Sequence, residues 1–169
     1  MLFLQTYKTI AIFYFTKNTR LNSKLLDDKR LVKMVLETTQ LLSNVLFLYG
    51  KKNPYKPTHL KHPCTIWASS SKQNWIWLKR YGLELCKEYT RRFHKVHKCT
   101  DIIKSMSCPP IKNSEFTQPN QCMPEKYKFR KTSRAYLKYY VGEKFNPVYF
   151  KRCNKKIYNF WEKLRKIDF

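Results

Sequence analysis

The chain has 169 residues, 43% of them hydrophobic, which suits one domain with a real core. Thirty-five Lys and Arg against eleven Asp and Glu give a formal charge of +24, with 16% aromatic residues and only 3 glycines. The charge points to a polyanionic partner, and the glycine scarcity argues against a hairpin-rich all-β fold.

The start is apolar in places. Thr9-Ile-Ala-Ile-Phe-Tyr-Phe15 is β-branched and aromatic and reads as a short buried strand. The apolar run is too short for a bilayer and lacks a small-residue cleavage site, so no membrane or export role is expected. The first strong helix follows Leu25-Leu26-Asp27-Asp28, with Asp27 or Asp28 as its cap. Leu31, Val35, Thr38, Leu42, Val45 and Leu46 share one side, with Met34 and Leu41 beside them. Arg30, Lys33, Glu37, Gln40 and Asn44 line the other side, and Gly50 stops the helix.

Residues 55–67 carry prolines and read as an irregular connector. Ser69-Ser70-Ser71 then supplies caps for a second long helix running to about Lys95. Its inner face holds Leu78, Tyr81, Leu85 and Tyr89, together with the polar Asn74, Glu88 and Arg92. Buried polar groups need partners, and Glu88 and Arg92 stand four apart, the spacing of an intrahelical pair. Residues 99–129 carry weak signals, with a short helix around Ile102-Ile103. Helix resumes after Ser133, and Lys151 to Phe169 reads as a basic aromatic tail that forms a short helix. The expected fold is mainly α: a compact helical nucleic-acid-binding domain over residues 1–150 with a tail over 151–169.

Six cysteines stand at 64, 86, 99, 108, 122 and 153, none in a C-x-x-C pair, so a zinc ribbon is disfavoured. They read as reduced thiols of an intracellular protein, in the cytoplasm or with DNA. His59-x-x-His62-x-Cys64 offers three metal-ligand types, but a fourth ligand is unassigned. The reading preferred is a histidine contacting phosphate or backbone while Cys64 packs inward, with no metal and no cofactor. Trp67, Trp75 and Trp77 read as core or as a stacking wedge. P-loop, dinucleotide-binding and serine-hydrolase motifs are absent from the sequence.

Nucleic acid, double-stranded DNA in particular, is the expected partner. Its contacts are assigned to Lys29, Arg30, His62, Arg91, Arg92, His94, Lys95, Lys138, Tyr140 and Lys144. A carboxylate beside amines can act as a general base or support a developing cation, and Glu37 sits one turn after Lys33. The competing reading of that pair is a solvated ion pair.

The runs Leu26 to Leu42, Thr58 to Trp67, Leu85 to Arg92, Pro119 to Pro124 and Tyr139 to Lys144 resemble a family of small uncharacterised proteins of phages and large DNA viruses. A second resemblance is to pyrimidine-dimer DNA glycosylases of the endonuclease V type. It rests on a leucine-rich helix with Glu37, on Lys61-His62-Pro63, on Glu88 to Arg92 and on Tyr139-Tyr140-x-Gly142. That resemblance implies Glu37 as the catalytic glutamate and an amine nucleophile, for which Lys33 and the Met1 α-amine are the candidates. Bulky Leu2 hinders removal of Met1, and Leu36 and Gln40 replace the arginines that flank the glutamate in that family. Three functions follow: a glycosylase/lyase acting on damaged DNA, a non-enzymatic DNA-binding or packaging protein, and a metal-dependent nuclease using His59, His62 and Glu37.

Overall fold

A computed structural model describes residues 11–167. The first elements are α1 (Thr19–Lys24), α2 (Asp28–Leu48), α3 (Pro63–Ser70), α4 (Lys72–Phe93) and α5 (Cys99–Ser105). Then follow α6 (Thr132–Tyr139), continued by a π turn over Tyr140–Lys144, and α7 (Lys155–Arg165). The mainly helical expectation holds.

Helix α2 starts where Asp27 accepts the Arg30 N–H at 2.8 Å. Its expected core face is buried throughout, from Leu31 to Leu46. It packs against α3, α4 and α5. Its length and hydropathy would also suit a bilayer, yet 61% of the apolar stretch is buried inside the protein. Asn44, expected on the outer side, is buried instead: its amide donates to Thr58 O at 2.6 Å and accepts the Thr58 N–H at 3.2 Å. That exchange ties the connector to α2.

The connector also departs from expectation at its end. Pro63 opens α3, where a missing N–H and a fixed φ are harmless. Ser71 caps α4 by accepting the Gln73 N–H at 3.1 Å. Helix α4 ends at Phe93, slightly earlier than expected, with His94 in a left-handed cap at φ 53°.

No strand occurs among the described residues. Residues 11–15 are buried but irregular. Asn22 of α1 supplies the partners that a neighbouring strand would have given. Its Oδ1 accepts Phe15 N–H at 2.7 Å and Thr16 N–H at 3.1 Å, and its amide donates to Phe13 O at 2.5 Å. Thr9 and Ile10, the first part of the expected strand, lie outside the described residues, as does Met1.

Residues 106–131 run without helix apart from a 3-10 turn over Glu125–Tyr127. They are strapped onto the α3–α4 junction. Asn74 donates to Thr117 Oγ1 and accepts the Thr117 N–H, both at 2.9 Å. Trp67 Nε1 donates to Thr117 O at 3.0 Å. Trp67, Trp75 and Trp77 are all buried, so none is an exposed wedge. Helix α7 docks through Trp161, which is fully buried, stacks on Tyr140 at 4.5 Å and donates to Leu25 O at 2.7 Å.

Candidate active site and basic face

Glu37 and Lys33 share the outer stripe of α2, four residues apart. Lys33 Nζ lies 3.2 Å from Glu37 Oε1. Their exposure differs sharply: the Lys33 side chain is 59% exposed and that of Glu37 only 12%. The expectation that Glu37 points away from the core is therefore corrected. The carboxylate is turned inward, where its charge reaches the Cys64 thiol and the Tyr81 hydroxyl. Burial pushes its pKa up, and the Lys33 ammonium partly offsets this. A surface ion pair would leave such a carboxylate near its ordinary value. A half-buried carboxylate with one exposed amine at its mouth is an arrangement suited to proton transfer beside a nucleophile.

The Cys64 side of this region holds a second cluster. His62 caps α3 by accepting the Cys64 N–H on Nδ1 at 3.1 Å. Cys64 packs inward, as expected, and its sulfur lies 3.5 Å from the sulfur of Cys122. Cys122 comes from the strapped segment 106–131, and its N–H donates to the Tyr136 hydroxyl at 3.3 Å. Spacing gave no signal for Cys122, because 58 residues separate it from Cys64. His59, the other histidine of the motif, is exposed.

Seven of the ten residues expected to contact DNA fall into three groups. Lys29, Arg30 and Arg91 come together where the start of α2 meets the end of α4. Lys29 and Arg30 both lie over the Tyr149 ring, at 4.8 and 5.3 Å to its centroid. Arg152, which the sequence reading missed, lies over Phe93 at 5.1 Å in the same region. His94 and Lys95 are exposed just past the end of α4. Lys138 and Lys144 stand apart, on α6 and its π turn, with Lys144 over Tyr139 at 4.9 Å.

Arg92 and Tyr140 are corrected from contacts to core. The Arg92 guanidinium has no exposed side-chain surface. Its Nε donates to Glu88 Oε1 at 2.7 Å, and Nη1 donates to Leu26 O at 2.8 Å and Asp28 Oδ1 at 3.1 Å. Nη2 donates to Lys24 O at 3.0 Å. Arg91 donates to both Glu88 oxygens, Nη2 to Oε1 at 2.6 Å and Nε to Oε2 at 2.9 Å. Asp28 also accepts the Arg152 N–H at 2.8 Å, so one network joins α1, α2, α4 and the segment before α7. Burial raises the Glu88 pKa, but the hydrogen bonds and charges of Arg91 and Arg92 outweigh it and hold the group low. Tyr140 is fully buried, accepting the Asp27 N–H at 2.8 Å and donating to the Asp27 carboxylate.

A family model for pyrimidine dimer DNA glycosylases matches residues 14–101, just over half of the chain. The chain belongs to the pyrimidine dimer DNA glycosylase family. The matched stretch carries Lys33, Glu37, the His62–Cys64 turn and the Asp28, Glu88, Arg91 and Arg92 side chains of the ion network. It ends before Cys122 and before the basic residues of α6. No curated protein and no solved structure matches the chain.

Proposed function

We propose that the protein excises damaged bases from double-stranded DNA, with Glu37 as the essential carboxylate and Lys33 as the candidate amine. The observation that carries this reading is the inward carboxylate of Glu37 with the Lys33 amine 3.2 Å away, within the part of the chain that matches the glycosylase family. In such a reaction the amine attacks the sugar C1′ as the bond to the base breaks. The departing base takes up a proton, and the sugar opens to a Schiff base. A carboxylate held at higher pKa by burial supports the cationic sugar while ionised and can carry protons between amine and sugar. Borohydride added during turnover reduces the Schiff base and fixes the protein covalently to DNA. Trapping on ultraviolet-irradiated duplex is expected, and Lys33→Arg should abolish it if Lys33 is the amine. Absence of trapping by the wild-type protein on both irradiated and abasic duplex overturns the amine-attack reading, and absence of base release from irradiated duplex overturns excision itself.

The basic face would hold the phosphates. Lys29, Arg30, Arg91, His94, Lys95 and Arg152 cluster about the two helix ends, with Lys138 and Lys144 as an outlying pair. Phosphate contacts displace condensed counterions, so affinity for duplex DNA is expected to fall steeply with salt. Titrations from low to physiological ionic strength should give a slope equivalent to several phosphates, and Lys29→Gln with Arg30→Gln should flatten it. A flat salt dependence for the wild-type chain would remove nucleic acid as the partner. A protein that works on DNA belongs inside the cell or virion that holds the DNA, which agrees with six cysteines in no disulfide.

A further inference from the structure

Cys64, Cys122 and His62 form a cluster that base excision does not use. Their ligand atoms all lie within 4.8 Å of one another. The two sulfurs are 3.5 Å apart. In tetrahedral zinc sites, bonds of about 2.3 Å to sulfur and 2.0–2.1 Å to nitrogen put neighbouring ligand atoms about 3.5–3.8 Å apart. The sulfur pair already meets that spacing, whereas a disulfide requires the sulfurs to close to about 2.05 Å. The donor set is soft, two thiols and an imidazole, which selects zinc over magnesium or calcium.

The surroundings fit a metal as well. Cys64 is fully buried and Cys122 nearly so, while His62 is half-buried and opens the cluster toward solvent. His62 and Cys64 sit together at the start of α3, and a metal on His62 would take the place of the cap in which its Nδ1 accepts the Cys64 N–H. Cys122 arrives on a segment that has almost no helix of its own.

We propose that His62, Cys64 and Cys122 bind one zinc ion, with water as the fourth ligand, and that the ion clamps segment 106–131 to the start of α3. Binding replaces the two thiol protons, which pass to solvent.

The test uses the reduced full-length chain and cobalt(II) alone, followed by zinc(II) alone. One equivalent of cobalt should produce thiolate-to-metal charge-transfer absorption and tetrahedral visible bands, and one equivalent of zinc should abolish both. Cys122→Ser should weaken zinc binding by more than the roughly 10–100-fold loss that an outer-contact change alone can bring. Cys153→Ser, beside Lys24 and far from the cluster, should leave it unchanged. Removing zinc with a chelator should speed proteolysis within 106–131 and nowhere else. A wild-type chain that shows no charge-transfer band overturns the proposal, whatever the variants do. So does equal binding by Cys122→Ser and wild type, or a chain that forms a Cys64–Cys122 disulfide under mild peroxide but takes up no metal while reduced.

Discussion

Glu37→Gln is expected to lower base release and borohydride trapping by roughly two orders of magnitude or more, the scale of losing a positioned acid or base. DNA binding should hold, because the change removes a negative charge beside Lys33. The fold should hold too. Burial raises the Glu37 pKa, so the ionised form is less welcome in the folded chain than in the unfolded one. At neutral pH that carboxylate costs stability, and the cost vanishes as pH falls and the group protonates. Glutamine removes it outright, so the midpoint of unfolding should stay level or rise slightly. For wild type, the acid-side loss of activity should begin above the ordinary glutamate range of about 4.3. Equal activity in wild type and Glu37→Gln would make Glu37 a structural residue.

Arg92→Met should unfold the protein far more readily, by about 3–5 kcal/mol, the usual result of removing one partner of a buried ion network. Methionine fills much of the volume but leaves Glu88 with Arg91 alone, Asp28 short of a cation, and two carbonyls without their donor. Arg92→Lys should rescue only part of the loss, because one ammonium cannot span Glu88, Asp28 and two backbone oxygens at once. Urea titration measures both. The same network sets an acid limit. Glu88 is held below its unfolded value, so its contribution is complete above the ordinary glutamate range and drains away as pH falls through the depressed value. Wild type should lose urea resistance over that acid window, and the Arg92→Met midpoint should depend on pH less.

The two long helices were legible because their signals are local. Asp27, the apolar stripe from Leu31 to Leu46 and Gly50 mark α2, and Ser71 with Leu78, Tyr81 and Leu85 marks α4. The Glu88–Arg92 pair was also local, and it formed. What the sequence concealed depends on residues far apart in the chain. A guanidinium four residues from Glu88 reads equally as a phosphate contact, and only Asp28 and the carbonyls of Lys24 and Leu26 decide that it stays inside. Tyr140 was drawn into the core by Asp27, 113 residues away. A β-branched, aromatic run such as residues 11–15 signals burial but not what pairs with its backbone, and here a single Asn22 side chain replaced a strand. Glu37 had the right position on the wheel and the wrong depth, because α2 packs against α3, α4 and α5, which are distant in the chain.

Trp161 governs when this chain can finish folding. Its indole bonds to the Leu25 carbonyl across 136 residues and covers the faces of Tyr140 and Phe15. Helices α2, α3 and α4 lie close together in the chain and can associate as soon as they are made. The faces of Phe15 and Tyr140 that Trp161 covers stay open until α7 emerges from the ribosome. Closing so long a loop adds little to the equilibrium cost, which grows only with the logarithm of its length. The delay matters more, since contacts distant in sequence form late and exposed aromatic surface invites aggregation meanwhile. A nascent chain that stalls before residue 161 would present those aromatic faces to chaperones, with helices α2 to α4 already assembled.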